Sequence, residues 1–353
     1  MNLHYNWQLK DAVFTKDKGK VFSCFACGGG STMGYKLAGF DVIGCNEIDK
    51  KMMQVYEANH APKYAFLQSI TDFKMRNDLP SELYELDILD GSPPCSSFSM
   101  SGSREKDWGK EKKFREGQSL QVLDTLFFDF IDLAKKLQPK VVIAENVKGL
   151  LMGSAKHYVR RIYRELDAAG YYCQHFLLDA SKMGVPQRRE RVFFIALRKD
   201  LAGQFLTQKD MFTTVPTLAM LFSERIVPFK DIADNNDLSV KDNTAASFYW
   251  DKTPIGKDFK FSHPKGHFFN DSKSHPDLPI QTITASITKG VWHYSVKRLL
   301  NDVELIKAGS FPFDYNFLRN KVKYIIGMSV PPLMIARIAN EVHKQWLSKI
   351  SAK

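Results

Sequence analysis

The feature that most constrains this chain is a strand that runs into glycines and out into a helix. Val21-Phe22-Ser23-Cys24-Phe25 reads as a buried strand, and Gly28-Gly29-Gly30 turns the chain. Met33 to Ala38 then predicts a helix and Asp41-Val42-Ile43-Gly44-Cys45 the next strand. Two strands joined through a helix predict a β-α-β unit. Further strand-like runs at Asp87–Leu89, Val141–Ala144 and Val192–Leu197 alternate with helical patterns, one of them over Val122–Leu137. There Leu123, Phe127, Phe130, Ala134 and Leu137 recur at helical spacing, while Asp129, Asp132, Lys135 and Lys136 fall largely elsewhere. Such alternation predicts an α/β, doubly wound, Rossmann-like domain whose mostly parallel sheet is covered on both faces.

The alternation fades after Arg198-Lys199-Asp200, and the chain to about Ile287 is richer in Pro, Thr, Ser, Asn and aromatics. This stretch reads as a second, smaller domain, after which helices return at Asp302–Ile306 and Pro331–Trp346. With 353 residues, 44% hydrophobic and 25% charged, the composition is that of a soluble globular protein. The amino-terminal segment lacks the apolar centre of a secretory signal, and no uninterrupted apolar run approaches a membrane span, so a cytoplasmic protein without a membrane partner is expected. Five scattered cysteines argue for free thiols rather than a disulfide framework. Cys24-Phe25-Ala26-Cys27 spells a CxxC and His263-Pro264-Lys265-Gly266-His267 pairs two histidines, but neither has partners at metal-site spacing, and no metal is expected. A net charge of +11 points to an anionic partner, nucleic acid first.

Two short segments carry chemistry. Asp87-Ile88-Leu89-Asp90 delivers Gly91-Ser92-Pro93-Pro94-Cys95, a rigid turn bearing one thiol, and Val141-Val142-Ile143-Ala144 delivers Glu145-Asn146-Val147. A thiol at a strand end is placed for access, and a nucleophilic thiol needs cations or helix N-termini to ionise. Gln187-Arg188-Arg189-Glu190-Arg191 enters a strand and supplies cations, with Arg189 and Arg191 on one face by the period-two rule. A carboxyl at the end of an apolar strand suffers desolvation, which suits Glu145 to donate a proton. The glycine loop offers backbone to an anionic ligand, and Glu47, about twenty residues on, stands where such folds hold a ribose diol. Met33 occupies the place of the third glycine of the dinucleotide pattern, which disfavours a nicotinamide oxidoreductase.

In this order the motifs resemble those of the cytosine-C5 DNA methyltransferases, from Val21 to about His343, with only the middle domain unmatched. Phe25-Ala26-Cys27-Gly28-Gly29-Gly30 is similar to the family's first cofactor loop and Asn46-Glu47-Ile48-Asp49 to the second. The resemblance implies S-adenosyl-L-methionine as cofactor, held by Phe25, Ala26, Gly28, Gly29, Gly30, Glu47, Ile48, Pro94, Leu126, Ser329 and Val330. It implies a catalytic set of Cys95, Glu145, Asn146, Arg189 and Arg191. The segment from Arg298-Leu299 through Glu304 to Pro312 resembles the support of the recognition domain, and Ile326 to Pro332 the closing motif. Cys27, Ser69, Ser96 and Met328 depart from the residues usual in the family.

The implied architecture is a catalytic and cofactor-binding domain at 1–199, completed by 313–353, with a target-recognition domain at 200–312. The implied reaction is methyl transfer to C5 of a cytosine flipped out of double-stranded DNA, through a covalent bond between Cys95 and C6. The resemblance implies that Glu145 stabilises or protonates N3, Asn146 helps shape the base pocket, Arg191 contacts the base near the thiol, and Arg189 supports the pocket or the strand backbone. The basic loop from Ser96 to about Gln118, with Lys110, Lys112 and Lys113, is expected to bind phosphates. A monomer is expected, and a companion restriction endonuclease would complete a restriction-modification role. Two alternatives remain: a tRNA cytosine-C5 methyltransferase, and a non-catalytic DNA-binding homologue.

Overall fold

The computed structural model describes residues 3–94, 111–112, 121–122, 125–208, 214–241, 244–268 and 271–350. The chain divides into two compact units, one of Phe14–Leu178, Glu190–Leu221 and Ala336–Lys353, the other of Met1–Val13, Asp179–Arg189 and Phe222–Ile335.

The first unit is built on a seven-stranded sheet. Its strands are β1 (Lys20–Cys24), β2 (Asp41–Glu47), β3 (Tyr64–Leu67), β4 (Ile88–Gly91), β7 (Val141–Val147), β8 (Tyr171–Asp179, whose last residue falls in the other unit) and β9 (Glu190–Arg198). They lie in the order β3-β2-β1-β4-β7-β9-β8, with β1 pairing parallel to both β2 and β4 and β4 parallel to β7. The doubly wound α/β reading thus holds, except that β9 runs antiparallel to β7. Strand order reverses between β1 and β4, which opens the crevice at their carboxyl ends where such sheets bind ligands.

Local chemistry sets the helices. Gly29, at φ 89°, caps α1 (Gly30–Ala38), a left-handed conformation that glycine adopts without steric cost. Asp49 caps α2 (Lys50–His60) by accepting from Lys51 N at 2.8 Å, and Ser69 caps α3 (Ile70–Met75) by accepting from Asp72 N at 3.0 Å. The predicted helix starting at Val122 begins four residues later, as α4 (Leu126–Leu137), because Gln121–Val122 forms a two-residue strand, β6, paired with β5 (Glu111–Lys112). Side chains alternate across the sheet, so Asp90 and Gly91 face opposite layers. Tyr35 of α1 meets Asp90, whereas a Cβ on Gly91 would stand 2.5 Å from the Phe130 ring of α4. The helices α1 and α4 therefore cover the two faces of β4. After β7, α5 (Lys156–Ala168) buries Tyr158, Ile162 and Leu166 in the same apolar core as Phe127 and Phe194. A short antiparallel pair, β10 (Leu206–Gln208) and β11 (Thr214–Pro216), belongs to this unit too.

The second unit has short elements: α6 (Ala245–Trp250), β12 (Ser272–Lys273) parallel to β13 (Val291–Trp292), α7 (Asp302–Ala308) and α8 (Val322–Met328). Its organising contact is a buried fork of Arg298 on Glu304, Nη1 donating to Oε2 at 2.7 Å and Nη2 to Oε1 at 3.0 Å. Glu304 also accepts from Asn301 N while Asn301 caps α7, so a carboxylate with no exposure has both oxygens engaged. The last helix, α9 (Pro332–Gln345), follows Ser329-Val330-Pro331. The stretch Val322–Lys349, from α8 through α9, passes a length-and-composition test for a membrane span. However, 78% of its apolar window is buried, as in a core helix.

Candidate active site

The glycine loop begins where β1 ends. Phe25 and Cys27 take positive φ angles of 54° and 48°, unusual for residues with a Cβ, and Gly29 completes the turn. Gly29 N donates to Ala26 O and Met33 N to Gly29 O, each at 2.9 Å, which fixes Phe25 to Gly30 as a tight bend into α1. Ala26 N donates to Asn46 O at 3.3 Å, tying the bend to the end of β2. Glu47 stands at that end. Its Oε2 accepts from Cys27 N at 2.7 Å, and its Oε1 from Ile48 N and Asp49 N at 2.9 and 2.8 Å. Burial pushes this carboxyl above the usual range while the backbone donors pull the other way. Phe25, Ala26, Gly28, Gly29, Gly30, Glu47 and Ile48 are thus brought together at the carboxyl ends of β1 and β2.

One strand over, β4 leads into Ser92-Pro93-Pro94. Asn146, at the end of β7, donates from Nδ2 to Pro93 O at 3.1 Å and accepts at Oδ1 from Val147 N at 2.9 Å. Both ends of its amide are used, so this 4%-exposed residue clamps the turn that precedes Cys95. Beside it, Arg191 Nε lies 2.9 Å from Glu145 Oε1, with side-chain exposures of 15% and 11%. Burial pulls the Arg191 guanidinium below its ordinary value, and Glu145 opposes that pull. A carboxylate and a guanidinium, paired and mostly out of water, present a hydrogen-bonding edge to a planar polar ligand. Cys95 lies outside the described residues, as does the loop from Ser96 to Gln118 apart from the Glu111–Lys112 backbone.

Of the remaining predicted residues, Leu126 belongs to the first unit and Arg189, Ser329 and Val330 to the second. Leu126, 3% exposed, opens α4 and packs into the apolar core. Arg189 precedes β9, which starts at Glu190, and belongs to the second unit. It donates from Nη1 to Ile283 O and from Nη2 to Gly327 O, both at 2.9 Å, while Gln187 Oε1 accepts from Ile283 N. Gly327 is needed there, since a Cβ would stand 2.5 Å from the Thr284–Ala285 backbone. Ser329 and Val330, also in the second unit, are buried, and Ser329 Oγ donates to Ile325 O at 2.8 Å. Ser69, in the place of an expected aspartate, serves as a helix cap. Among the described residues no three His, Cys, Asp or Glu side chains gather at metal-binding distance.

Two features of the site were missed in the sequence: the amide clamp of Asn146 on Pro93, and Asp90, an acid buried on β4 between the glycine loop and Glu145. The only signal for Asp90 was a carboxyl inside an otherwise apolar strand.

Residues 19–344 match the model of the C-5 cytosine-specific DNA methylase family. The chain belongs to that family. Among its relatives, the Type II methyltransferase M.FnuDI of Fusobacterium nucleatum is 37% identical over 182 residues, 52% of this chain and 48% of that protein. The aligned stretch thus spans about half the length of that relative. M.NgoFVII of Neisseria gonorrhoeae is 27% identical over 95% of this chain and 89% of its own length. The fold is shared with a crystal structure of a prophage-encoded DNA modification methyltransferase of E. coli. That structure has a TM-score of 0.63 at 19% identity, over 92% of this chain and 99% of that one.

Proposed function

We propose that this chain is a DNA (cytosine-5-)-methyltransferase that moves a methyl group from S-adenosyl-L-methionine to C5 of a cytosine flipped out of double-stranded DNA. The observation that carries the reading is the family match over 19–344 together with what stands at the strand ends: the glycine bend with Glu47 beside the clamped Pro-Pro turn and the Glu145–Arg191 pair.

The residues fit the cofactor. Glu47 is a buried carboxylate fixed by three backbone donors; two of them occupy Oε1, and Oε2, which accepts from Cys27 N alone, keeps a second lone-pair direction for a ribose hydroxyl. Phe25, Ala26 and the glycines present backbone at the N-terminus of α1, and Ile48, half-buried, offers apolar surface to adenine. Pro94, Leu126, Ser329 and Val330 complete the proposed set. When bound, the cofactor supplies an electrophilic methyl group on a sulfonium.

The chain's own residues do the rest. The Cys95 thiolate adds to C6, which makes C5 nucleophilic, and Glu145 holds the base at N3 with Arg191 steadying its carboxylate. Asn146 keeps the turn before Cys95 at a fixed height against β7. After transfer, a base removes the C5 proton, the C6–sulfur bond breaks and the thiolate is regenerated. Arg189 supports the pocket through the carbonyls it binds. Residues 200–312 read the target sequence, cations between Ser96 and Gln118 bind phosphates, and the protein acts as a cytoplasmic monomer beside a companion endonuclease.

A duplex carrying 5-fluorocytosine at the target tests this, because fluorine at C5 blocks the final elimination and leaves the adduct intact. A denaturation-resistant protein–DNA complex that requires S-adenosyl-L-methionine and disappears in Cys95→Ala is expected. A complex that persists in Cys95→Ala would assign the chemistry to another group.

A further inference from the structure

β4 is a short, wholly buried strand in the middle of the sheet, and one of its four residues is an acid. Asp90 is 2% exposed. In the parallel register it lies opposite Ser23 of β1 and Ile143 of β7. Ser23 Oγ donates to its Oδ2 at 2.8 Å and Tyr35 OH to its Oδ1 at 3.1 Å. Tyr35 is fully buried on α1, the helix that the glycine bend opens into. One carboxyl therefore joins three elements: the strand before the cofactor loop, the helix after it, and the strand that reaches Cys95 five residues later.

An apolar side chain would fill this place without the desolvation penalty of a carboxyl, and among the described residues no cation forms an ion pair with Asp90. The titratable groups around it are Cys24 on β1, Tyr35 on α1 and Glu145 on β7, which shares Asp90's face of the sheet by residue parity. Burial pushes Asp90 up to about 7; its two hydrogen bonds oppose the rise and the charge of Glu145 adds to it. Cys24 and Tyr35 are themselves pushed well above their ordinary values by burial, with the charge of Asp90 adding to the rise.

We infer that Asp90 is a positioning residue for methyl transfer: it locks the glycine bend and α1 to β4, so that the cofactor loop and the Pro93-Pro94 turn that leads to Cys95 keep one geometry. The inference rests on the function proposed above.

The test compares Asp90→Asn, Asp90→Leu and Tyr35→Phe in the full chain, with far-UV circular dichroism to confirm folding. kcat and KM for S-adenosyl-L-methionine are read across the neutral pH range on a duplex substrate. Asp90→Leu should lower kcat/KM about ten- to hundredfold, the scale on which a displaced reacting group costs rate. Tyr35→Phe, which removes one of the two bonds, should show a smaller loss of the same kind. Asp90→Asn keeps an acceptor for Tyr35 and a hydrogen-bonding partner for Ser23. It should restore kcat/KM to within about threefold of the parent while removing an ionisation near neutrality from the kcat profile. A folded Asp90→Leu with parental kcat and KM overturns the inference, and so does an Asp90→Asn as impaired as Asp90→Leu. Should Asp90→Leu not fold, Tyr35→Phe with parental kinetics is the overturning result. A wild-type protein that transfers no methyl to any duplex fails the proposed function instead. Calorimetric affinity for S-adenosyl-L-methionine then judges Asp90 alone, with a tenfold loss in Tyr35→Phe or Asp90→Leu for it and unchanged affinity against it.

Discussion

Replacing Asp90 with Asn should change how the stability of the fold depends on pH, in a direction set by burial. The carboxyl titrates at about 7 in the folded protein against an ordinary 3.8. Between these values the folded state keeps a proton that the unfolded state has lost. The unfolded state therefore binds fewer protons, and stability falls as pH rises through that window. The penalty is complete above about pH 7. A shift of roughly three pKa units, at 1.36 kcal/mol each, sets an upper limit of about 4 kcal/mol. Asn cannot ionise and escapes this loss. Urea unfolding of both proteins at about pH 5 and about pH 8, read as a difference of differences, cancels the other carboxylates. About two units of that window lie above pH 5, so the variant should gain about 2–3 kcal/mol on the parent between the two pH values. Parallel pH dependence of the two proteins, within about 0.5 kcal/mol, would refute a buried, late-titrating Asp90.

Three further substitutions test other parts of the structure by urea or thermal unfolding. Cys27→Gly should stabilise the fold by about 0.5–1 kcal/mol, because relief of the left-handed strain at φ 48° exceeds the added chain entropy of glycine; a loss of stability would mean the thiol's packing matters more. Gly91→Ala should cost about 1–3 kcal/mol, since its Cβ meets the Phe130 ring at 2.5 Å, and a Phe130→Leu background should recover part of that. Arg191→Ala should cost about 3–5 kcal/mol by leaving Glu145 buried and unpaired, and the double variant with Glu145→Gln should cost less than Arg191→Ala alone.

What could be read from the sequence was whatever local pattern dictates. The strand from Val21, the glycine bend, the helix to Ala38 and the strand from Asp41 follow from periodicity and from the conformational freedom of glycine, and all appear where expected. The start of α4 was misplaced because Gln121–Val122 is recruited into a strand pair, a tertiary choice that overrides helical periodicity. Arg189 and Arg191 share parity, but strand geometry begins at Glu190, so the alternation rule does not extend back to Arg189. The clamp of Asn146 on Pro93 and the bonds of Ser23 and Tyr35 to Asp90 join residues 53 to 67 positions apart in sequence, and they depend on strand order that no local pattern encodes. In the second unit the elements are only two to seven residues long, too short for periodicity to stand out.

The central claim is tested most directly by transfer of labelled methyl from S-adenosyl-L-methionine to duplex DNA and to tRNA in parallel, with Cys95→Ala as control and mapping of the modified cytosines. Labelling of C5 at one short DNA motif, lost in Cys95→Ala, is the predicted result. Labelling of tRNA alone, or cofactor binding without transfer to either nucleic acid, would contradict it.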